Sequence, residues 1–223
     1  MDPDQASEMI YNCFVRMYSI FENDIGSVRQ RMFFYKKVVA FISQLRNLNE
    51  NDMQEVLRNI QSGAALLLTR ENQAQGLLLL SRVYSERLIS AEDEYAKETA
   101  ENQLRQAVMR TIKLCKMACH VQKTNCYLYN KVLDSLILFR LKGIEVFEIA
   151  NIKMNIEIIR DSIKKLKEKG QAEVESQEEL DPEAKKGSKN KCLEMAKQME
   201  ANFNRILSYG KSLPEFEELE SSK

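Results

Sequence analysis

Apolar side chains recur along this chain at three- and four-residue spacing, the period of one face of an α-helix. Met9, Ile10, Cys13, Phe14, Met17, Ile20 and Phe21 form the first stripe. Asp2 and Pro3 precede it as an N-cap and a first helical residue that has no N–H to leave unpaired. The Asn23–Ser27 segment interrupts the pattern, with Ser27 placed to cap a second helix through Met32, Phe34, Val38, Val39, Phe41, Ile42 and Leu45. Asn47 to Asp52 reads as a turn of residues that hydrogen-bond their own backbone. A third helix then carries Met53, Val56, Leu57, Ile60 and Ala64 to about Thr69.

Arg70 to Ala74 is expected as a polar break. The helix after it, with Leu77 to Leu80, Val83, Tyr84, Leu88 and Ile89, is apolar on more than one side, the mark of a helix sandwiched between neighbours. Ser90 to Asp93 opens a long helix through Leu104, Ala107, Val108, Ile112, Cys115 and Cys119, closed by His120 to Thr124. Tyr127 to Phe139 is the next stripe and Gly143 its stop, followed by Ile144, Phe147, Ile149, Ile152, Ile156, Ile159, Ile163 and Leu166.

From Lys164 to Ser188 the large apolar residues give way to Lys, Glu, Gln and Ser, the composition of a charged, disordered loop. A last amphipathic helix spans 189–210, and 211–223 is an acidic tail. The expected organisation is helical hairpins over 1–163, the charged loop 164–188, and the C-terminal helix packing back on the same domain. Consecutive amphipathic helices with short links pack antiparallel, as a bundle or as a stack of hairpins. HEAT-type solenoids need show no sharp sequence repeat, because each hairpin constrains only its apolar pattern.

Composition agrees. Of 223 residues, seven are Gly and three are Pro. An all-β fold needs turn residues at every hairpin, and nucleotide-binding loops need clustered glycines; neither requirement is met. Thirty-three basic residues balance thirty-three acidic ones, so bulk electrostatic binding of nucleic acid is not expected. The polar, acidic N-terminus is unlike a signal peptide, and no apolar run reaches membrane-spanning length. Five cysteines, an odd number without framework spacing, fit reduced thiols in the cytoplasm.

Candidate chemistry is sparse. The single histidine, His120, has Cys115, Cys119 and Cys126 near it in sequence, which would allow a Cys–His pair or a zinc set. Against both, Cys115 and Cys119 lie on the apolar stripe, where free cysteine acts as a small hydrophobe. The carboxylate groups Glu92, Asp93, Glu94 and Glu178, Glu179, Asp181 lie in polar stretches without the burial that acid–base work requires. Lys164, Lys165, Lys167 and Lys169 form a small basic helix end with weak attraction for anionic lipid. The residues therefore point to an interaction protein, with no enzyme activity and no cofactor expected.

Three stretches carry a further resemblance. Tyr18-Ser-Ile-Phe-Glu-Asn-Asp-Ile25 is an aromatic-Ser-aliphatic-aromatic-acidic helix end. Ala64-Ala-Leu-Leu-Leu-Thr-Arg-Glu-Asn-Gln73 is a small-residue helix end with leucines and a polar turn. Thr111-Ile-Lys-Leu-Cys115, with Ile159-Arg-Asp161, stands further along in the same order. In their order and spacing these resemble the C-terminal part of the vacuolar protein sorting-associated protein 35 family, the large α-solenoid subunit of retromer.

The resemblance implies a HEAT-like α-solenoid of about eight helices. It also implies that the concave side wraps the metallophosphoesterase-fold subunit, vacuolar protein sorting-associated protein 29, in sorting cargo from endosomes to the Golgi and plasma membrane. Location would be cytoplasmic and peripheral on endosomes. The family's Pro-Arg-Leu-Tyr-Leu motif for the arrestin-like subunit is absent, so binding of that subunit is not implied.

Where the family has Ala-His-Leu-Phe-Trp on its partner-facing helix, this chain has Ser81-Arg-Val-Tyr-Ser85. Arg82 and Tyr84, with Gln73, are the candidate partner-binding residues, although core packing accounts equally for Tyr84. The alternative is an unrelated helical bundle, self-associating or associated with a membrane surface.

Overall fold

The computed structural model describes residues 3–43, 48–121, 127–180 and 190–214, with side chains over 5–43, 48–118, 127–176 and 190–214. Among the described residues the chain is all-α, with eight helices and no strand. They are α1 (Pro3–Asn23), α2 (Val28–Ile42), α3 (Glu50–Ala65), α4 (Arg70–Ser90), α5 (Glu94–Val121), α6 (Tyr127–Leu141), α7 (Ile149–Leu180) and α8 (Lys191–Gly210). The chain forms two compact units, Met1–Ala118 and Cys119–Lys223, divided within α5.

In the first unit α4 packs against both α2 and α3, and α1 packs against α2 and α3. This explains why α4 is apolar on more than one side. Phe14, Tyr18 and Phe21 of α1 continue into Phe34 and Tyr35 of α2 through ring pairs 5.7 to 6.1 Å apart. Tyr35, 2 % exposed, donates its hydroxyl to the Ile60 carbonyl of α3 at 3.1 Å. A buried phenol needs such a partner, because an unpaired hydroxyl forfeits its hydration. Along α5, Ala100, Leu104, Ala107, Val108, Ile112 and Cys115 form a buried stripe, and Gln103 donates to Gln54 of α3 at 2.8 Å.

Ser27 stands at the N-cap position of α2, but its side chain makes no capping hydrogen bond. Of the turn expected over Asn47–Asp52, Glu50 to Asp52 are already the first turn of α3, which Asn49 caps by accepting from the Asp52 N–H at 2.9 Å. Asp2, Leu45 and Asn47 lie outside the described residues. The polar break placed at Arg70–Ala74 is instead the first turn of α4. The connection is 66–69, and Thr69 caps α4 by accepting from the Asn72 N–H at 3.1 Å. Polar residues in a first turn satisfy orphan N–H groups as well as a loop would, which disguises a helix start as a break.

In the second unit α6, α7 and α8 pack on one another. Asn130 of α6, 5 % exposed, donates to the Met199 carbonyl of α8 at 3.2 Å. Tyr209 of α8 donates its hydroxyl to the Asp134 carboxylate of α6. Gly143, with φ +75°, ends α6 in the left-handed region that side chains with a Cβ avoid. Helix α7 does not follow at once. Ile144, Val146 and Phe147 are buried in an irregular link, with Phe147 stacked 6.2 Å from Phe139 and its carbonyl accepting from Arg140 at 2.6 Å.

The charged stretch expected as a loop from 164 is helical as far as Leu180, while 181–188 lies outside the described residues. Lys, Glu, Gln and Ala are good helix formers, and opposite charges four residues apart add to that preference. The pairs Asp161–Lys165 at 2.7 Å, Lys164–Glu168 at 4.0 Å and Lys169–Glu173 at 3.7 Å are of this kind. Lys167 reaches Glu200 of α8 at 2.8 Å. Gly170 sits directly under Leu193 of α8; a Cβ there would lie 2.6 Å from Leu193 Cγ, so α8 holds this turn of α7 by close approach. Asn190 caps α8, accepting from the Cys192 and Leu193 N–H groups while its own amide donates to the Gly170 carbonyl at 2.9 Å. Leu213, at the start of the expected tail, is 7 % exposed, and 215–223 lies outside the described residues.

Candidate functional site

The three candidate partner-binding residues lie on or beside α4, in three different environments. Gln73 is in its first turn, and its amide donates to the carbonyls of Ala65 at 3.1 Å and Leu67 at 2.7 Å. Those carbonyls belong to the end of α3 and to the connection after it, where helix geometry leaves acceptors unsatisfied. Gln73 therefore closes the α3–α4 turn, with Leu67 buried beneath it at 1 % exposure.

Tyr84 is 1 % exposed, one of the largest fully buried side chains of the chain. Its hydroxyl donates to Gln61 Oε1 of α3 at 3.3 Å. Burial pushes its phenol well above the usual tyrosine range, outweighing the opposing charge of Arg87. The ring joins α4 to α3 and stays protonated at any physiological pH.

Arg82 is different. It is exposed, although Ser81, Val83, Tyr84 and Ser85 on either side are buried. The two serines are accommodated because their hydroxyls donate back along the helix, Ser81 to Leu78 O and Ser85 to Arg82 O, both at 2.7 Å. Gln75, Leu79, Arg82, Glu86 and Ile89 follow one another at three- and four-residue spacing and are partly or fully open, as are the first turn, Arg87, Leu88 and Ser90 at the two ends of α4. They form a narrow ridge with Arg82 at its centre, and Ile89 is 53 % exposed at one end.

Each end of the α3–α4 pair is fixed. Arg87 Nη2 of α4 donates to both carboxylate oxygens of Glu50 at 2.6 and 2.7 Å, binding the last turn of α4 to the first turn of α3. Partial burial pushes the Glu50 carboxyl up, but hydrogen bonds from Gln54 and Arg87 and the Arg87 charge outweigh it and hold the group below its usual range. Arg31 of α2 holds the opposite end, donating to the carbonyls of Ile25, Leu66 and Glu22. Neither arginine stands out in the sequence, since nothing in its spacing marks its carbonyl or carboxylate partner.

The remaining candidates resolve more simply. Cys115 is fully buried, and burial alone pushes its thiol up to about 12, so it is a neutral apolar side chain rather than a nucleophile. The side chains of Cys119, His120 and Cys126 lie outside those described. Among the described residues no group of three His, Cys, Asp or Glu side chains is arranged to hold a metal ion. Asp93 accepts from the Ala96 N–H at 2.7 Å, a cap of α5, while Glu92 and Glu94 are exposed. Lys164, Lys165, Lys167 and Lys169 of α7 are engaged in the carboxylate pairs described above. No helix of the described residues is long and apolar enough to cross a membrane. Compared with protein-family models and with curated proteins, the chain matches none.

Proposed function

We propose that this chain is a non-catalytic helical scaffold of the retromer large-subunit type, with the HEAT-like α-solenoid arrangement of that family, and that it binds a metallophosphoesterase-fold partner through the open ridge of α4. The observation that carries the reading is the exposure of Arg82 in a stretch of α4 that is otherwise buried. It is the position that replaces the histidine of the family's partner-facing helix. Arginine is enriched among the few residues that dominate interface energetics, because its stem covers apolar surface while its fork satisfies several acceptors.

Two of the three stretches that carry the resemblance support the same reading through their roles, while the third lies within α5 and α7. Tyr18 to Ile25 is the end of α1 and the turn after it, and Ala64 to Gln73 is the α3–α4 turn that Gln73 closes. Both are joints between helices, where sequence controls how successive helices are set. On this reading the chain takes part in endosomal cargo sorting and reaches the membrane as part of a complex.

Calorimetric titration with the metallophosphoesterase-fold retromer subunit of the same organism tests the proposal. A one-to-one complex of micromolar or tighter affinity supports it. No heat of binding from a folded chain rejects it and leaves an unrelated helical interaction protein as the reading.

A further inference from the structure

From Ile25 to Asn49 the chain contains no Asp or Glu, although it holds as many acidic residues as basic ones overall. Helix α2 lies within this stretch. Its buried face, Met32, Tyr35, Val38, Val39 and Ile42, is turned into the first unit. On the opposite side Arg29, Phe33, Lys36, Lys37 and Ala40 are all exposed and recur at helical spacing on one outer face. Phe33 is 63 % exposed and Phe41, at the edge of the face, 37 %. Lys37 Nζ lies over the Phe33 ring, 5.6 Å from its centroid.

None of the ion pairs among the described residues involves Arg29, Lys36 or Lys37. Lys164, Lys165, Lys167 and Lys169 of α7 present the contrast, since each of those is matched by a carboxylate. Arg31 does not contribute to the face, because its guanidinium is turned inward onto the turns.

We infer that this outer face of α2 binds the anionic lipid surface of a membrane, with Arg29, Lys36 and Lys37 attracting the headgroups and Phe33 inserting between them. An exposed ring flanked by cations on a convex helix is the arrangement of helices that lie in the membrane interface. An acidic protein partner fits less well. Peptide recognition uses a groove or paired arginine forks, and this face is a ridge whose charge is mostly lysine, a point charge suited to a diffuse anionic surface. Three cations and one ring give weak, reversible binding, in about the millimolar range of accessible lipid, weaker than a single acyl chain. The contact therefore orients a chain that a second interaction also holds. It does not rest on the partner proposed for α4.

The full chain is to be sedimented with phosphatidylcholine vesicles, with or without about 30 mol % phosphatidylserine. The expected result is binding to the anionic vesicles alone, weakened by added salt. Lys36→Glu with Lys37→Glu should raise the lipid concentration for half-binding about thirtyfold or more, and Phe33→Ser about fivefold. Lys36→Gln with Lys37→Gln replaces the reversal should that variant not keep the parent's circular-dichroism melting curve.

Three results would overturn the inference: no binding at millimolar anionic lipid, binding that the lysine variants leave unchanged, or equal binding to uncharged vesicles. Competition by soluble polyglutamate together with no effect of Phe33→Ser would assign the face to an acidic protein instead, and would equally overturn it.

Discussion

Arg31 and Leu66 stand 35 positions apart, and the Arg31 guanidinium donates to the Leu66 carbonyl at 3.3 Å. The same group donates to the Ile25 carbonyl and, at 3.4 Å, to that of Glu22, and lies 5.9 Å from the centre of the Phe21 ring. One cation thus serves the carbonyl-rich C-terminal ends of both α1 and α3, where the helix dipoles favour positive charge. It ties two turns, distant in sequence, to the first turn of α2.

Replacing Arg31 by Met keeps much of the stem and removes the fork. The expected loss of unfolding free energy is about 1–3 kcal/mol, the range for a charge-assisted hydrogen-bond set left with orphan acceptors. Lys should restore less than half of it, since one ammonium cannot reach three carbonyls from a single geometry. Urea denaturation at constant m-value measures this. A Met variant as stable as the parent would mean that water replaces the guanidinium without cost.

The Glu50–Arg87 pair predicts a pH dependence of known sign. The Glu50 carboxyl is held below its ordinary value of 4.5, so folding favours the ionised form. The stabilisation is complete above the unfolded-state value and is lost as pH falls through the lower folded-state value. With the Glu50 side chain 59 % exposed, water screens the pair, and its worth is about 0.5 kcal/mol. Glu50→Gln should therefore lose less stability than the parent between neutral and acidic pH, by about that amount. Identical acid limbs in the two unfolding profiles would show that the pair contributes nothing.

The helices were legible in the sequence because their buried stripes are long and regular. Phe14 and Phe21 of α1, Val56, Leu57 and Ile60 of α3, and Met199, Phe203 and Ile206 of α8 are buried as their spacing predicts. What the spacing could not carry was the role of polar residues. Arg70 to Gln73 looks like a break and is a capped first turn. Lys164 to Glu175 looks like a solvated loop and is a helix held by charges four residues apart and by Leu193 over Gly170. Tyr84 reads equally as core or interface from its type, and only its burial against α3 decides. Arg82 was legible for the opposite reason: a cation amid apolar neighbours on a two-sided helix has to emerge somewhere.

Gln73 and Tyr84 are expected to act on stability and not on partner affinity. Gln73→Ala leaves the Ala65 and Leu67 carbonyls without their donor and should cost about 1–2 kcal/mol. Tyr84→Phe removes only the bond to Gln61 and should cost about 1 kcal/mol or less, whereas Tyr84→Ala opens a cavity and should cost about 3–5 kcal/mol. Thermal unfolding ranks the three variants. Titration of the folded Gln73→Ala and Tyr84→Phe proteins against the phosphoesterase-fold partner should give the parent affinity. A weakened complex with unchanged stability would put either side chain into the contact.

Arg82 should show the reverse behaviour. An exposed side chain in mid-helix can be exchanged for another good helix former within about 0.5 kcal/mol, so Arg82→Glu should melt with the parent. If the α4 ridge is the binding surface, reversing the charge at its centre removes an anchor and sets a carboxylate against acceptors that the fork had satisfied. Truncating a central arginine anchor costs about 2 kcal/mol or more, roughly thirtyfold in affinity, and reversal should exceed truncation. Arg82→Ala should then fall between parent and Arg82→Glu, and Arg82→Lys should keep the charge while losing the planar fork. Ile89→Ser, at the exposed end of the same ridge, separates a local effect from a general one: a ridge contact weakens in both variants. Affinity within about twofold of the parent for Arg82→Glu would remove Arg82 from the interface, and with it the main support for binding through α4.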